Sequence, residues 1–165
     1  MIKRNKRDSF SYRLKRFLAL SAEEKGYFLE AYFTLGVMRG VILTRPFKQI
    51  TKTLEQCPAS AQAPAVSEEQ LATARKIGAM IETAAAHTPW ESACLAKALT
   101  AWKMLQRRGI PGGFYLGAFQ DQNAEETMQA HAWSQCGKNI LTGAAGHEKF
   151  AVLSLFRWPA EKSRI

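Results

Sequence analysis

Two residues, Cys94 and His131, have the types and settings that acyl-transfer chemistry requires. Cys94 precedes apolar residues at helical spacing (Leu95, Leu99, Trp102, Leu105), which puts it near the start of a helix. Amides and the macrodipole at a helix start favour a thiolate over a thiol, and the thiolate is the nucleophile. The strength of that effect depends on the cap. With Thr88 as N-cap, Cys94 falls in the second turn; with Ser92, it is the second helical residue. His131 follows 37 residues later in Gln129-Ala130-His131-Ala132-Trp133, a strand pattern. A helix-start thiol and a strand imidazole together supply a nucleophile and a base. Each alone has a plainer reading: a buried cysteine is commonly a small core residue, and a lone strand histidine is commonly structural.

The elements that must position this pair are legible in outline. Ser21-Ala22-Glu23-Glu24 and Ser67-Glu68-Glu69-Gln70 are capping boxes, in which a serine oxygen and an acid or amide satisfy orphan amides reciprocally. The first opens a helix to about Leu43, stopped by Thr44-Arg45-Pro46, with Phe28, Ala31, Tyr32, Leu35 and Met38 on one face. A shorter helix is expected over Phe47 to about Glu55. Residues 57–66, with two prolines and no periodicity, read as a loop. The second box opens a helix ending near His87, with Leu71, Ala74, Ile77, Gly78 and Ile81 inward. The helix carrying Cys94 ends at Arg107-Arg108-Gly109, basic residues and a glycine that suit a helix C-terminus. Beyond Gly113 the period changes: Phe114–Phe119, Met128–Gln135, Asn139–Thr142 and Phe150–Phe156 read as strands, the second and third joined by a turn at Cys136-Gly137-Lys138. Gln120 to Glu126 reads as a polar loop. N-terminal helices followed by a small antiparallel sheet make an α+β fold.

Composition narrows the setting. With 165 residues and 47% hydrophobic content, the chain suits one domain with its own core. Net charge is +9, and Lys3, Arg4, Lys6, Arg7, Arg13, Lys15 and Arg16 face only Asp8 within residues 1–20. The charge is thus a basic arm, over residues 1–16, on a domain spanning 17–157, with a tail at 158–165. Such arms in general bind nucleic acid, acidic proteins or anionic membranes, or keep a protein soluble; surface contact or solubility is the expectation for this one. No nucleic-acid partner is implied. The apolar stretch Tyr27–Leu43 is broken by Glu30 and Arg39 and is shorter than the roughly 20 residues of a membrane span. Residues 1–20 lack the apolar run of a secretion signal. Cys57, Cys94 and Cys136 are odd in number and without zinc-ligand spacing, which suggests free thiols in a reducing, cytoplasmic setting. Cys57 and Cys136 are expected to be exposed, His87 to close its helix, His147 to lie in a loop, and Trp90 and Trp133 to pack in the core. Gly112-Gly113 lacks the lysine of a phosphate loop.

Several segments together carry a resemblance: Trp90-Glu91-Ser92-Ala93-Cys94-Leu95, Leu105-Gln106-Arg107-Arg108-Gly109-Ile110-Pro111, Leu116-Gly117, Ala130-His131-Ala132-Trp133 and Leu141-Thr142-Gly143. Over about residues 17–157 the chain resembles the lasso-peptide biosynthesis B protein, a transglutaminase-like cysteine leader peptidase, in its split form. That resemblance implies a transglutaminase-like, papain-like fold and hydrolysis of the bond between leader and core of a ribosomally made precursor. It implies Cys94 as nucleophile and His131 as general base and acid, with no cofactor and no metal. It also implies three partners: the precursor, a leader-recognition protein, and an ATP-dependent macrolactam synthetase. Relatives carry an aspartate on the strand after the histidine. Here the residue facing His131 is one of Thr142, Gly143 or Ala144, and only Thr142 has a side-chain acceptor; Glu148 or a backbone carbonyl are the other candidates. A cysteine acyl-transferase using an amine in place of water, and a non-catalytic assembly module on an inactivated peptidase fold, are the alternative functions.

Overall fold

The computed structural model describes residues 10–120 and 128–158. The elements run α1 (Phe10–Leu18), α2 (Ala22–Thr44), α3 (Phe47–Ile50), β1 (Glu55–Cys57), α4 (Glu68–Ala85), α5 (Cys94–Gln106), β2 (Gly112–Gln120), β3 (Met128–Cys136), β4 (Asn139–Thr142), a 3-10 turn (His147–Lys149) and β5 (Ala151–Trp158). Part of the basic arm is therefore helical, since α1 begins at Phe10; residues 1–9, the expected loop at 121–127 and the tail beyond Trp158 lie outside the described residues.

Both capping boxes form. Glu24 N donates to Ser21 Oγ at 3.1 Å and Ser21 N to Glu24 Oε2 at 2.9 Å; Ser67 and Gln70 do the same at 3.1 Å each. The four expected strands are present within one or two residues of their anticipated ends, and the sheet has a fifth. Its order is β1-β5-β2-β3-β4, with every pairing antiparallel. The expected helix from Phe47 to about Glu55 is only four residues long. Its last residue instead starts β1, which pairs Glu55–Cys57 with Arg157–Leu155. The tail also begins later than expected: Trp158 is buried, and its Nε1 donates to Ile110 O at 2.9 Å.

The core lies between the helices and one face of the sheet. Ala31, Leu35 and Met38 of α2, Leu71, Ala74, Ile77 and Ile81 of α4, and Leu99, Trp102 and Leu105 of α5 meet Phe114, Ala132, Phe156 and Trp158. Alternation sends Tyr115 and Trp133 to the other face, where their rings stack at 5.4 Å. The segment after β1 crosses that face: Arg157 Nη2 donates to Ala61 O at 2.6 Å. Gly78 has a positional role. A Cβ there would lie 2.8 Å from Leu141 O, so its absence lets α4 press directly on β4. Among the described residues no helix is long and apolar enough to cross a membrane.

An ion pair fastens the end of α5 to α2. Arg108 Nη2 lies 2.6 Å from Glu30 Oε2, Arg107 Nη1 lies 3.0 Å from Oε1, and Arg108 sits over the Tyr27 ring. Burial alone would raise the Glu30 pKa, but the hydrogen bonds and charges of Arg108 and Arg107 outweigh it and hold the carboxyl below its ordinary range. A carboxyl with a depressed folded-state pKa stabilises the fold above its unfolded value, and that stability is lost as pH falls through the folded value. Glu30→Gln is accordingly expected to cost about 1–2 kcal/mol at pH 7. In urea titrations across pH, the gap between variant and parent should close as the medium is acidified below about pH 4. A gap that persists unchanged in acid would contradict the assignment.

Candidate active site

The loop before α5 is pinned before it reaches Cys94. Thr88 Oγ1 lies 2.8 Å from Ser92 Oγ and within hydrogen-bond distance of Ala85 O and Trp90 O. Arg39 Nη1 donates to Glu91 O at 2.7 Å. Trp90 packs on α2, its ring 5.5 Å from that of Tyr32 and against the space left by Gly36. Thr88 and Ser92, the two expected caps, bond each other and the loop instead. The N-cap is Ala93, with no side-chain cap bond, and Cys94 is the first helical residue. First-turn amides have no intrahelical acceptor, so with no side chain bound they are available to an anion beside the half-buried Cys94.

His131 stands on β3 with its ring between Trp133 (5.9 Å between centroids) and Phe150 (5.0 Å). Its Nε2 lies 2.8 Å from Gly143 O. A carbonyl only accepts, so Nε2 carries the proton and the neutral ring keeps its lone pair on Nδ1. Gly143 follows β4 in the left-handed region, φ +72°, and a Cβ there would lie 2.6 Å from Ala132 O. Its N–H donates to Glu82 Oε1 at 3.1 Å, and Glu82 Oε2 accepts from Lys97 Nζ at 2.9 Å. Lys97 is three residues after Cys94, so the two share a side of α5. Three contacts (Lys97 to Glu82, Glu82 to Gly143, Gly143 to His131) thus tie the helix of Cys94 to the imidazole. Among the described residues no hydrogen bond joins Cys94 Sγ to His131 itself.

Thr142 does not take the role expected of it. Its hydroxyl is buried and lies 2.7 Å from Ser134 Oγ, not at His131. The cause is a register shift. The turn at Gly137-Lys138 pairs Cys136 with Asn139 and Gln135 with Ile140, but then Ser134 meets Thr142, so one residue is skipped. The backbone carbonyl of Gly143 meets the imidazole in its place. Glu148 is not the orienter either; it is exposed and lies 3.2 Å from His147 Nδ1. His147 lies in the 3-10 turn between β4 and β5, the loop position expected of it, with its ring 5.7 Å from that of Trp133. Cys136 is fully buried as the last residue of β3, its thiol pushed up to about 11 by burial and aimed at Pro111 O. Cys57 is partly exposed on β1, and all three thiols are free. Glu82 and Lys97 drew no attention in the sequence. No side-chain pattern pointed to them: the buried stripe of α4 runs through Gly78, Ile81 and Ala84, and Glu82 lies beside it, partly exposed. Among the described residues no cluster of three or more His, Cys, Asp or Glu side chains could hold a metal ion.

The sequence pattern of the Transglutaminase-like superfamily matches residues 38–155, from the middle of α2 into β5. Searches of curated proteins and of solved structures return no match. The matched span contains Cys94, His131, Glu82 and Gly143, and the α+β architecture agrees with it. The chain belongs to the transglutaminase-like superfamily, which includes cysteine peptidases and acyltransferases.

Proposed function

We propose that this protein is a cysteine peptidase that removes the leader from a ribosomally made lasso-peptide precursor. The cysteine-peptidase part of this reading rests first on the hydrogen bond between His131 Nε2 and Gly143 O, which leaves Nδ1 as the proton acceptor, and the lasso-precursor part on the sequence resemblance alone. In this reading Nδ1 takes the thiol proton of Cys94, and the sulfur attacks the scissile carbonyl between leader and core. The negative charge that develops on that oxygen is received by the backbone N–H of Cys94, in the uncapped first turn of α5. The imidazolium then gives its proton to the leaving amine, and a thioester of the leader remains on Cys94. Water, deprotonated by the same nitrogen, releases the leader acid and restores the thiol. The carbonyl of Gly143 is a neutral acceptor, which stabilises an imidazolium less than a carboxylate does. A slow intrinsic reaction follows from that, and recruitment compensates by raising the local concentration of the scissile segment. The proposed partners are the precursor, a leader-recognition protein and an ATP-dependent macrolactam synthetase, acting together in the cytoplasm.

Cys94→Ala is expected to abolish leader release while Cys57→Ala retains it, read by mass spectrometry of the precursor incubated with enzyme and leader-recognition protein. Cleavage by Cys94→Ala above background would refute the assignment. A product carrying an added amine, in place of the free leader acid, would move the assignment to acyl transfer. His131→Ala should lower the rate at least a hundredfold, the usual order for removing a general base; an unchanged rate would exclude His131 as the base.

Thr142→Asp separates the backbone orienter from the side-chain one. Thr142 is buried against Ser134, so a carboxylate there should destabilise the fold by about 2 kcal/mol or more and bring no gain in rate. A folded Thr142→Asp protein with a faster reaction would show that position 142 reaches the imidazole after all.

A further inference from the structure

We infer that Glu82 is a positioning residue for His131, acting through the main chain of Gly143; the inference rests on the peptidase reading above. Glu82 lies on α4, outside both the helix of the nucleophile and the strand of the imidazole. Its two carboxylate oxygens have separate tasks. Oε1 accepts the Gly143 N–H, and Oε2 accepts Lys97 Nζ from α5.

The first contact holds a glycine that must stay left-handed. Gly143 has nothing in its own side chain to fix its orientation, and its carbonyl aims at Nε2 only while the turn keeps φ near +72°. Anchoring its N–H fixes the peptide on one side of the Cα and so limits the swing of the carbonyl on the other. The second contact keeps the carboxylate itself from turning away, because Lys97 is mostly buried and holds the far oxygen. Glu82 therefore sets the imidazole relative to α5 by geometry. Transmission by amide resonance is ruled out, since the N–H and the C=O of one residue belong to different peptide groups.

Neighbouring charged and titratable groups are few. Lys97 and Glu82 approach from α5 and α4, and His147 with Glu148 stands behind Trp133. None of these other than Glu82 touches Gly143 N–H among the described residues. Gln at position 82 keeps an oxygen acceptor and loses the charge; Met keeps the length and apolar stem and loses the acceptor. The pair therefore separates hydrogen bonding to Gly143 from a plain helix-to-helix salt bridge with Lys97.

The test reads alkylation of Cys94 by iodoacetamide against pH, followed on the Cys94 peptide by mass spectrometry, well below each variant's melting temperature. Glu82→Met should lower the rate between pH 6 and 7 about tenfold, as for a misplaced reacting group, and shift the profile toward an ordinary thiol. Glu82→Gln, whose one amide oxygen can still accept from Gly143 while its NH2 is left toward the Lys97 ammonium, should keep clearly more of the rate than Glu82→Met. A Glu82→Met profile equal to the parent overturns the inference, and so does an equal loss in both variants. His131→Ala is the control on the underlying reading: if it leaves the Cys94 profile unchanged, the two residues are not partners and the peptidase reading fails. If His131→Ala moves the profile and Glu82→Met does not, only the role of Glu82 is lost.

Discussion

The geometry of the site depends on one residue's main chain. Gly143 carries a donor toward α4 and an acceptor toward His131, and it does so in a left-handed conformation that a side chain would disfavour twice over, by strain and by collision with Ala132 O. The rest of the fold is arranged to deliver it there. Gly78 lets α4 lie against Leu141, which brings Glu82, one turn on, to the Gly143 amide. The skipped residue in β4 turns Thr142 into the core and leaves Gly143 beside the β3 backbone. The Thr88 and Ser92 hydroxyls bond each other, so α5 begins at Cys94 with its first amides open.

A backbone carbonyl in the place of a carboxylate changes how the site works. It still decides the tautomer, because only Nε2–H can pair with it. It gives less electrostatic support to the imidazolium. In the peptidase reading this puts weight on the helix start for the thiolate and on partner proteins for binding energy. The negative charge of Glu82 stands one residue removed and is shared with Lys97, so its contribution is placement more than field.

Much of the fold was legible because its signals are local. Ser21 with Glu24 and Ser67 with Gln70 are self-contained capping boxes, and Gly109 ends α5 with φ +63° where a glycine was expected. The strands from Gly112 onward announced themselves by aromatic and apolar alternation. Three residues, Glu55–Cys57, carry no period at all, and β1 exists only because β5 offers it an edge. Alternation could not place Thr142, because a bulge shifts the pairing by one and a one-residue shift exchanges the faces. Cys136 looked like an exposed turn residue because Cys136-Gly137-Lys138 reads as the turn; β3 in fact continues through Cys136, the turn is Gly137-Lys138, and Cys136 is buried in the core. Glu82 was out of reach because its partner is an amide 61 residues away, and no side-chain pattern encodes a main-chain hydrogen bond.

The most direct test is the tautomer of His131. In protein labelled with nitrogen-15 at histidine, long-range proton–nitrogen spectra recorded above the imidazole's titration range distinguish the protonated ring nitrogen from the bare one. The account predicts a neutral ring held with its proton on Nε2 and with Nδ1 bare. A ring protonated on Nδ1, or one averaging freely between the two forms, would show that Gly143 does not hold it and would contradict the account.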